Sequence, residues 1–124
     1  MFPTPNWINR YLELLNQDEE LKLYGKHFDL LYAIESDGNK YIIDVKGGIF
    51  VLNNDPSILP KLTLRTSSNH WENFAHSKLI PTYTDLFGAT AYGNLEIIGD
   101  AQNIWSNIRG LWRSIEIMRK VGTA

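Results

Sequence analysis

The sequence has no cysteine among its 124 residues, and this absence excludes disulfides, cysteine-ligated zinc and thiolate catalysis together. It also lacks a strong charge of either sign, since 12 basic and 14 acidic side chains leave a formal net charge of -2. Without a basic stripe to neutralise a phosphate backbone, nucleic acid is not expected as a partner. A chain of this length can form a core without a metal or a disulfide.

Long apolar runs are missing as well. No apolar stretch approaches the ~18 residues of a membrane-spanning helix, and the opening residues lack the basic and apolar regions of a secretory signal peptide. We therefore expect no stable membrane insertion and a cytoplasmic location. The whole chain, residues 1–124, is predicted to form one domain.

Changes in the spacing of apolar residues predict the order of helices and strands. Apolar residues at i, i+3 and i+4 indicate amphipathic helices, and strict alternation between turn residues indicates strands. The predicted helices cover about residues 7–16, 18–24, 83–91 and 100–121, with a two-turn helix around Trp71 and Phe74, and the predicted strands cover residues 28–35, 41–46, 49–52, 62–66 and 95–98. The hairpin order of the early strands predicts an antiparallel meander with one apolar and one solvated face.

No group of residues has the spacing of a catalytic or metal site. His70 and His76 are six residues apart and would face opposite sides of a helix, and His70-Trp71-Glu72 lacks the cysteine half of a zinc deaminase signature. Asp29 and Asp44 could act as paired carboxylates on neighbouring strands, but their alternation favours the solvated face. We therefore predict no catalytic residue, no metal and no cofactor.

Aromatic side chains, 12% of the sequence, are the strongest functional signal because most large rings lie on predicted helices after residue 70. Several bulky rings over one small sheet pack poorly unless they frame a cavity or a partner surface. For any single ring, simple filling of the core is the alternative. The residues predicted to line an apolar ligand site are Trp71, Phe74, Leu79, Tyr83, Leu86, Phe87, Ile104, Ile108 and Trp112.

Three stretches, in the same order along the chain, resemble the sterol carrier protein type two family. They are Leu12-Glu13-Leu14-Leu15-Asn16-Gln17-Asp18-Glu19-Glu20, then Leu62-Thr63-Leu64-Arg65-Thr66-Ser67 followed by Trp71-Glu72-Asn73-Phe74, and Tyr92-Gly93-Asn94-Leu95-Glu96-Ile97-Ile98-Gly99-Asp100. The resemblance implies an α+β fold with a mainly antiparallel sheet of about five strands. It also implies that helices cover one face of the sheet and that a hydrophobic tunnel lies between the two layers.

The same resemblance implies a non-catalytic binding or carrier domain for an apolar ligand such as a fatty acid, acyl-CoA or a sterol. Binding would come mainly from burial of apolar area, at about 25 cal/mol per Å². Tyr83, His76 and Arg109 are available for a polar head group of the ligand.

Two other classes of function stay open on the sequence alone. The first is a small cofactor-free enzyme of the nuclear transport factor two-like type, an isomerase, cyclase or dehydratase, although that fold normally ends on long strands. The second is an accessory subunit that forms a homodimer or binds a partner protein through the Trp105 and Trp112 side of its last helix, since aromatic residues are enriched in interface cores. The identity of the ligand and the oligomeric state do not follow from the sequence.

Overall fold

A five-stranded sheet with helices packed on one face makes up the fold, in a computed structural model that describes residues 2–55 and 57–123. The elements, in chain order, are α1 (Pro5–Gln17), α2 (Glu19–Tyr24), a 3-10 turn (Gly25–His27), β1 (Leu30–Glu35), β2 (Lys40–Lys46), β3 (Ile49–Asn53), β4 (Leu62–Arg65), α3 (Ser68–Ala75), α4 (Leu86–Ala91), β5 (Glu96–Gly99), α5 (Ala101–Ser106) and α6 (Ile108–Val121). The predicted α+β class is confirmed.

The strands lie in the order β3-β2-β1-β4-β5, and the sheet is mixed. β1 with β2, β2 with β3 and β4 with β5 are antiparallel, whereas β4 runs parallel to β1 with Leu62 opposite Tyr32. The prediction of a mainly antiparallel sheet of about five strands is therefore confirmed. The simple meander, however, covers only β1 to β3, because β4 does not join the β3 edge but lies on the free side of β1.

Three of the predicted helix and strand boundaries were wrong. The terminal helix predicted from Asp100 to Val121 is divided into α5 and α6 at Asn107, whose side-chain amide donates to the Asn103 carbonyl at 2.9 Å. The helix predicted over residues 83–91 begins only at Leu86, because Asp85 is extended and its carboxylate caps the helix by accepting the Gly88 amide. β1 begins at Leu30, not at residue 28, because the 3-10 turn continues the chain beyond α2.

One connected core lies between the sheet and the helices. Both layers contribute large side chains, and α1 and α3 each pack against α6 within it. Its bulkiest fully buried side chains are Trp71, Tyr11, Tyr32, Phe28, Phe50 and Phe74. Among the described residues, no helix combines the length and the apolar character that crossing a membrane requires.

Phe28 connects the terminal helix with the sheet. Its ring packs edge-on against Phe50 of β3, with the ring centroids 5.5 Å apart. On its other side lies Gly110 of α6, where a Cβ atom would overlap the Phe28 ring. Only glycine therefore lets the α6 backbone rest directly on this ring.

Replacing Gly110 by alanine should lower the free energy of unfolding by about 1–3 kcal/mol, since the overlap with Phe28 outweighs the roughly 1 kcal/mol by which alanine favours a helix. Urea unfolding followed by circular dichroism measures this change. In a Phe28→Leu background the same substitution should cost less, because the ring that opposes the new Cβ is gone. An equal cost in both backgrounds would show that the ring is not responsible.

Candidate functional site

An apolar groove opens between α2 with its 3-10 turn and the terminal helices α5 and α6. It consists of two adjoining cavities of about 380 Å³ and 320 Å³. Both cavities are lined by Tyr24, Trp105, Ile108 and Arg109, so they adjoin each other along these residues and are described as one site. We call this site the aromatic groove, with an apolar lining of Leu23, Tyr24, Phe28, Phe87, Trp105, Ile108 and Trp112.

Three rings form the centre of the aromatic groove, and Phe87 contacts each of the other two. The Phe87 ring centroid lies 5.6 Å from that of Trp105, with the planes tilted by 32°, and 5.3 Å from that of Trp112 in an edge-on arrangement. Rings at these separations attract each other. Trp105 nevertheless stays 62% exposed and Phe87 38% exposed, so a large part of their apolar surface faces water. Clustered and uncovered apolar surface of this kind marks a ligand or partner site.

Local structure brings the three rings together from three helices. Asp85 caps α4 so that Leu86 enters the core and the next residue, Phe87, stays at the surface. The break at Asn107 places Trp105 at the end of α5 and Trp112 in α6.

A partly buried ion pair fixes the charged wall of the aromatic groove. The Nε and Nη2 atoms of Arg113 donate to Oδ2 and Oδ1 of Asp18 at 2.9 and 2.7 Å. Asp18 also caps α2 by accepting the Leu21 amide at 3.0 Å. Hydrogen bonding from Arg113 lowers the pKa of the Asp18 carboxyl from its ordinary value. The pair therefore joins the start of α2 to the middle of α6, with Glu20 and Glu116 at 3.8 and 3.9 Å from Arg113.

Arg109 differs from Arg113 in having no carboxylate partner among the described residues. It is exposed and lines both cavities. Its positive charge is therefore available to a group bound in the aromatic groove.

Of the nine residues predicted to line a ligand site, the structure brings Phe87, Ile108 and Trp112 into the aromatic groove. Three more of the nine are core residues instead, because they lie on the inner faces of α3 and α4: Trp71, Phe74 and Leu86.

The remaining three predicted residues also lie away from the groove lining. Tyr83 packs edge-on against Phe74 at 5.1 Å, and its hydroxyl group is hydrogen-bonded to Nδ1 of His70. Ile104 packs against the core, and Leu79 is 60% exposed in the segment between α3 and α4.

The sequence pattern missed the wall of the groove formed by α2 and the 3-10 turn. The apolar pattern places Leu23, Tyr24 and Phe28 in local elements and places Trp105 at a possible interface. The signal in the sequence is Leu23 itself, because it lies two residues after Leu21 and therefore on another side of the short helix before Gly25. Local spacing does not show that α5 and α6 lie opposite this stretch.

The residues considered for metal or acid–base chemistry have structural partners. Within residues 2–55 and 57–123, no three His, Asp or Glu side chains come together as a possible metal site. The Asp29 carboxylate accepts the Gly47 amide at 2.7 Å, and Asp44 lies 3.9 Å from Lys46. Asp29, which precedes β1, thus binds the turn after β2, and the nearest charged partner of Asp44 is Lys46.

Comparison with known proteins places the chain in a known fold. No protein-family model matches it, and no curated protein is similar to it in sequence. A Thermus thermophilus protein described as possibly a sterol carrier protein superposes with a TM-score of 0.74 at 12% identity, covering 100% of this chain and 92% of the other. A crystal structure of sterol carrier protein 2 superposes with a TM-score of 0.75 at 13% identity, covering 98% of this chain and 100% of the other.

A third solved structure, the sterol carrier protein domain 2 of Helicoverpa armigera, gives a TM-score of 0.58 at 18% identity and covers 91% of this chain and 92% of its own. The chain therefore has the sterol carrier protein type two fold, as its resemblance in sequence implied. The nuclear transport factor two-like alternative is not favoured, since the chain superposes on sterol carrier proteins over nearly its whole length. A hydrophobic tunnel between the sheet and the helices stays a prediction.

Replacing Asp18 by asparagine should lower the free energy of unfolding by about 1–3 kcal/mol at neutral pH, since asparagine still caps α2 but leaves Arg113 without its carboxylate. Urea unfolding at pH 7 measures this loss. Asp18→Ala should cost about 1 kcal/mol more, because it removes the cap as well. Equal stability of Asp18→Asn and the unmodified protein would contradict a stabilising role for the pair.

The ion pair between Asp18 and Arg113 should also make the free energy of unfolding depend on pH in the acidic range. The pKa of Asp18 is lowered in the folded protein. The ion pair therefore contributes fully to the free energy of unfolding when the pH is above 3.8, the ordinary pKa of the carboxyl group, and this contribution is lost as the pH falls through the lower pKa of the folded state. The difference in unfolding free energy between the unmodified protein and Asp18→Asn should thus be constant near neutral pH and shrink below about pH 4. A difference undiminished at about pH 2 would be inconsistent with this linkage.

Proposed function

We propose that this protein is a non-catalytic binding and carrier protein for an apolar ligand, which it holds in the aromatic groove. The observation that carries the proposal is the contact of Phe87 with both Trp105 and Trp112 in a concave site where all three rings keep surface free for a ligand. The sterol carrier fold supports it, since similar solved structures are described as sterol carrier proteins. Fatty acids, acyl-CoA and sterols are therefore the ligand classes to test, with residues 1–124 acting as one domain.

The size of the aromatic groove suits a ligand of this kind. Its cavities of about 380 and 320 Å³ fall at the lower end of the range found for small-molecule sites. Covering about 200–300 Å² of apolar surface would contribute roughly 5–7 kcal/mol before the cost of immobilising the ligand. Apolar contact alone can thus support binding without a catalytic group.

Arg109 is the group we assign to a polar or anionic head of the ligand. The other two residues expected in this role have partners of their own: Tyr83 is hydrogen-bonded to His70, and Nδ1 of His76 accepts the Lys78 amide at 3.2 Å. Arg109 lines both cavities and has no carboxylate partner among the described residues. A ligand with its apolar part on the rings could place its head group beside this guanidinium.

Titration with a fluorescent fatty acid should quench tryptophan emission and raise the melting temperature of the protein. Phe87→Ala and Trp112→Ala should each weaken the affinity by about 5-fold or more, because each removes a ring worth roughly 1–3 kcal/mol of apolar contact. Leu79→Ala is the matched control, since Leu79 is an exposed apolar residue outside the groove lining. Its affinity should equal that of the unmodified protein.

Three results would speak against the proposal. Unchanged affinity in both ring variants would exclude the aromatic groove as the site. Failure of the unmodified protein to bind fatty acid, acyl-CoA and sterol probes would exclude the carrier function. A dimer in light scattering that Trp112→Glu converts to a monomer would assign the rings to a protein interface, the accessory-subunit alternative.

A further inference from the structure

Strand β3 forms one edge of the sheet and carries neither a charge nor a proline. Free edge strands are templates for pairing with another chain, and proteins commonly block them with charged residues or proline. β5, at the opposite edge, is shorter and begins with Glu96. On the solvent face of β3, in contrast, Ile49 is 63% exposed and Val51 is 57% exposed. The residues of β3 therefore do not themselves prevent pairing at this edge.

Asn16, in the last turn of α1, takes the place of a neighbouring strand at this edge. Its Nδ2 atom donates to the Phe50 carbonyl at 2.9 Å, and its Oδ1 atom accepts the Phe50 amide at 2.8 Å. A residue on an antiparallel neighbouring strand exchanges the same two hydrogen bonds with the residue opposite it. One exposed side chain thus satisfies both edge-facing backbone groups of Phe50. We call this pair of hydrogen bonds the Asn16 contact.

The backbone of Leu52 is the part of this edge that stays open. In an antiparallel ladder, successive residues direct their backbone groups alternately toward the two neighbouring strands. Since Phe50 faces the edge, Leu52 two residues later faces it too, and the residue between them, Val51, faces β2. Within the part of the chain that the structure describes, no hydrogen bond reaches Leu52 from the edge side. β3 therefore has one covered and one uncovered pair of edge-facing groups.

The same alternation makes β3 complementary to a second copy of itself. A two-fold axis at Val51 would place Phe50 opposite Leu52 of the second copy, and the two residues would exchange backbone hydrogen bonds. Each hydrogen bond of that ladder involves the amide or the carbonyl of a Phe50. Because Asn16 binds both of these groups, the Asn16 contact excludes the whole ladder.

We propose that the edge of β3 is a pairing surface for a second copy of this chain and that the Asn16 contact keeps this surface closed. The absence of charge in β3 favours an identical strand as the partner, since no like charges are opposed and the exposed Val51 side chains of the two copies cover each other. The protein is a monomer while the contact holds. Loss of the contact lets the sheets of two copies join into one continuous sheet, whether or not a ligand occupies the aromatic groove.

Light scattering of an Asn16→Ala variant tests the Asn16 contact. The unmodified protein should be a monomer, and the variant should form dimers with an association constant at least about 10-fold higher, because the Phe50 backbone groups lose their partner within the chain. Asn9→Ala is the matched control, since Asn9 is an exposed asparagine of the same helix. The control should have the mass of the unmodified protein at every concentration.

A second substitution identifies the surface through which the variant pairs. Val51→Lys in the Asn16→Ala background should restore the monomer, since it opposes two positive charges across the two-fold axis. Ile98→Lys in the same background is the matched control, because Ile98 is a partly exposed residue of β5, the other edge strand. This control should stay a dimer.

Amide hydrogen exchange tests the same geometry in the unmodified protein and does not depend on how well Asn16→Ala folds. The Phe50 amide should exchange at least about 10-fold more slowly than the Leu52 amide, and the Leu52 amide should become protected in the Asn16→Ala dimer. Rapid exchange at Phe50, an Asn16→Ala variant that stays monomeric, or a dimer that Val51→Lys does not dissociate would each overturn the proposal. A dimer of the unmodified protein with a protected Leu52 amide would also overturn it, since the edge would then not be closed.

Discussion

The contact between the α6 backbone at Gly110 and the ring of Phe28 sets the depth of the helical layer. Phe28 rests in turn on Phe50 of the sheet, so α6, the ring and β3 form one close-packed stack. Packed interiors leave little room for further bulk. The space beneath α6 is occupied by core side chains such as Tyr11 and Tyr32. Rings that this layer does not accommodate stay on the outer side of the helices, where the aromatic groove forms.

The same helix is fixed at a second place one turn later, and the two anchors explain the position of the groove. Arg113 holds Asp18 at the start of α2, whereas Gly110 holds Phe28 beyond its end. The segment from residue 18 to residue 28 is therefore attached to α6 at both of its ends. Its middle part, with Tyr24 among its residues, faces α6 across open space and becomes a wall of the groove.

Apolar spacing was sufficient to predict the five strands and the α+β class, because each strand alternates and each turn has its own turn residues. The place of β4 could not be predicted, since alternation specifies which face is buried but not which neighbour a strand pairs with. The residues of the site were harder to predict from the sequence for a related reason. Trp71 and Phe87 both occur at helical spacing beside other apolar residues, yet only Phe87 lies in the groove. Which rings enter the core depends on the helix ends at Asp85 and Asn107, which the apolar pattern does not show.

An apolar carrier without its ligand exposes aromatic rings to water, which is unfavourable. In the proposed carrier, a bound ligand covers the faces of Phe87 and Trp112 that line the larger cavity, and this removes part of the cost. Trp105 and Leu23 lie at the mouth, where a ligand inside the groove does not fully enclose them. Their apolar surface stays available in both states, and only a contact outside the ligand can bury it.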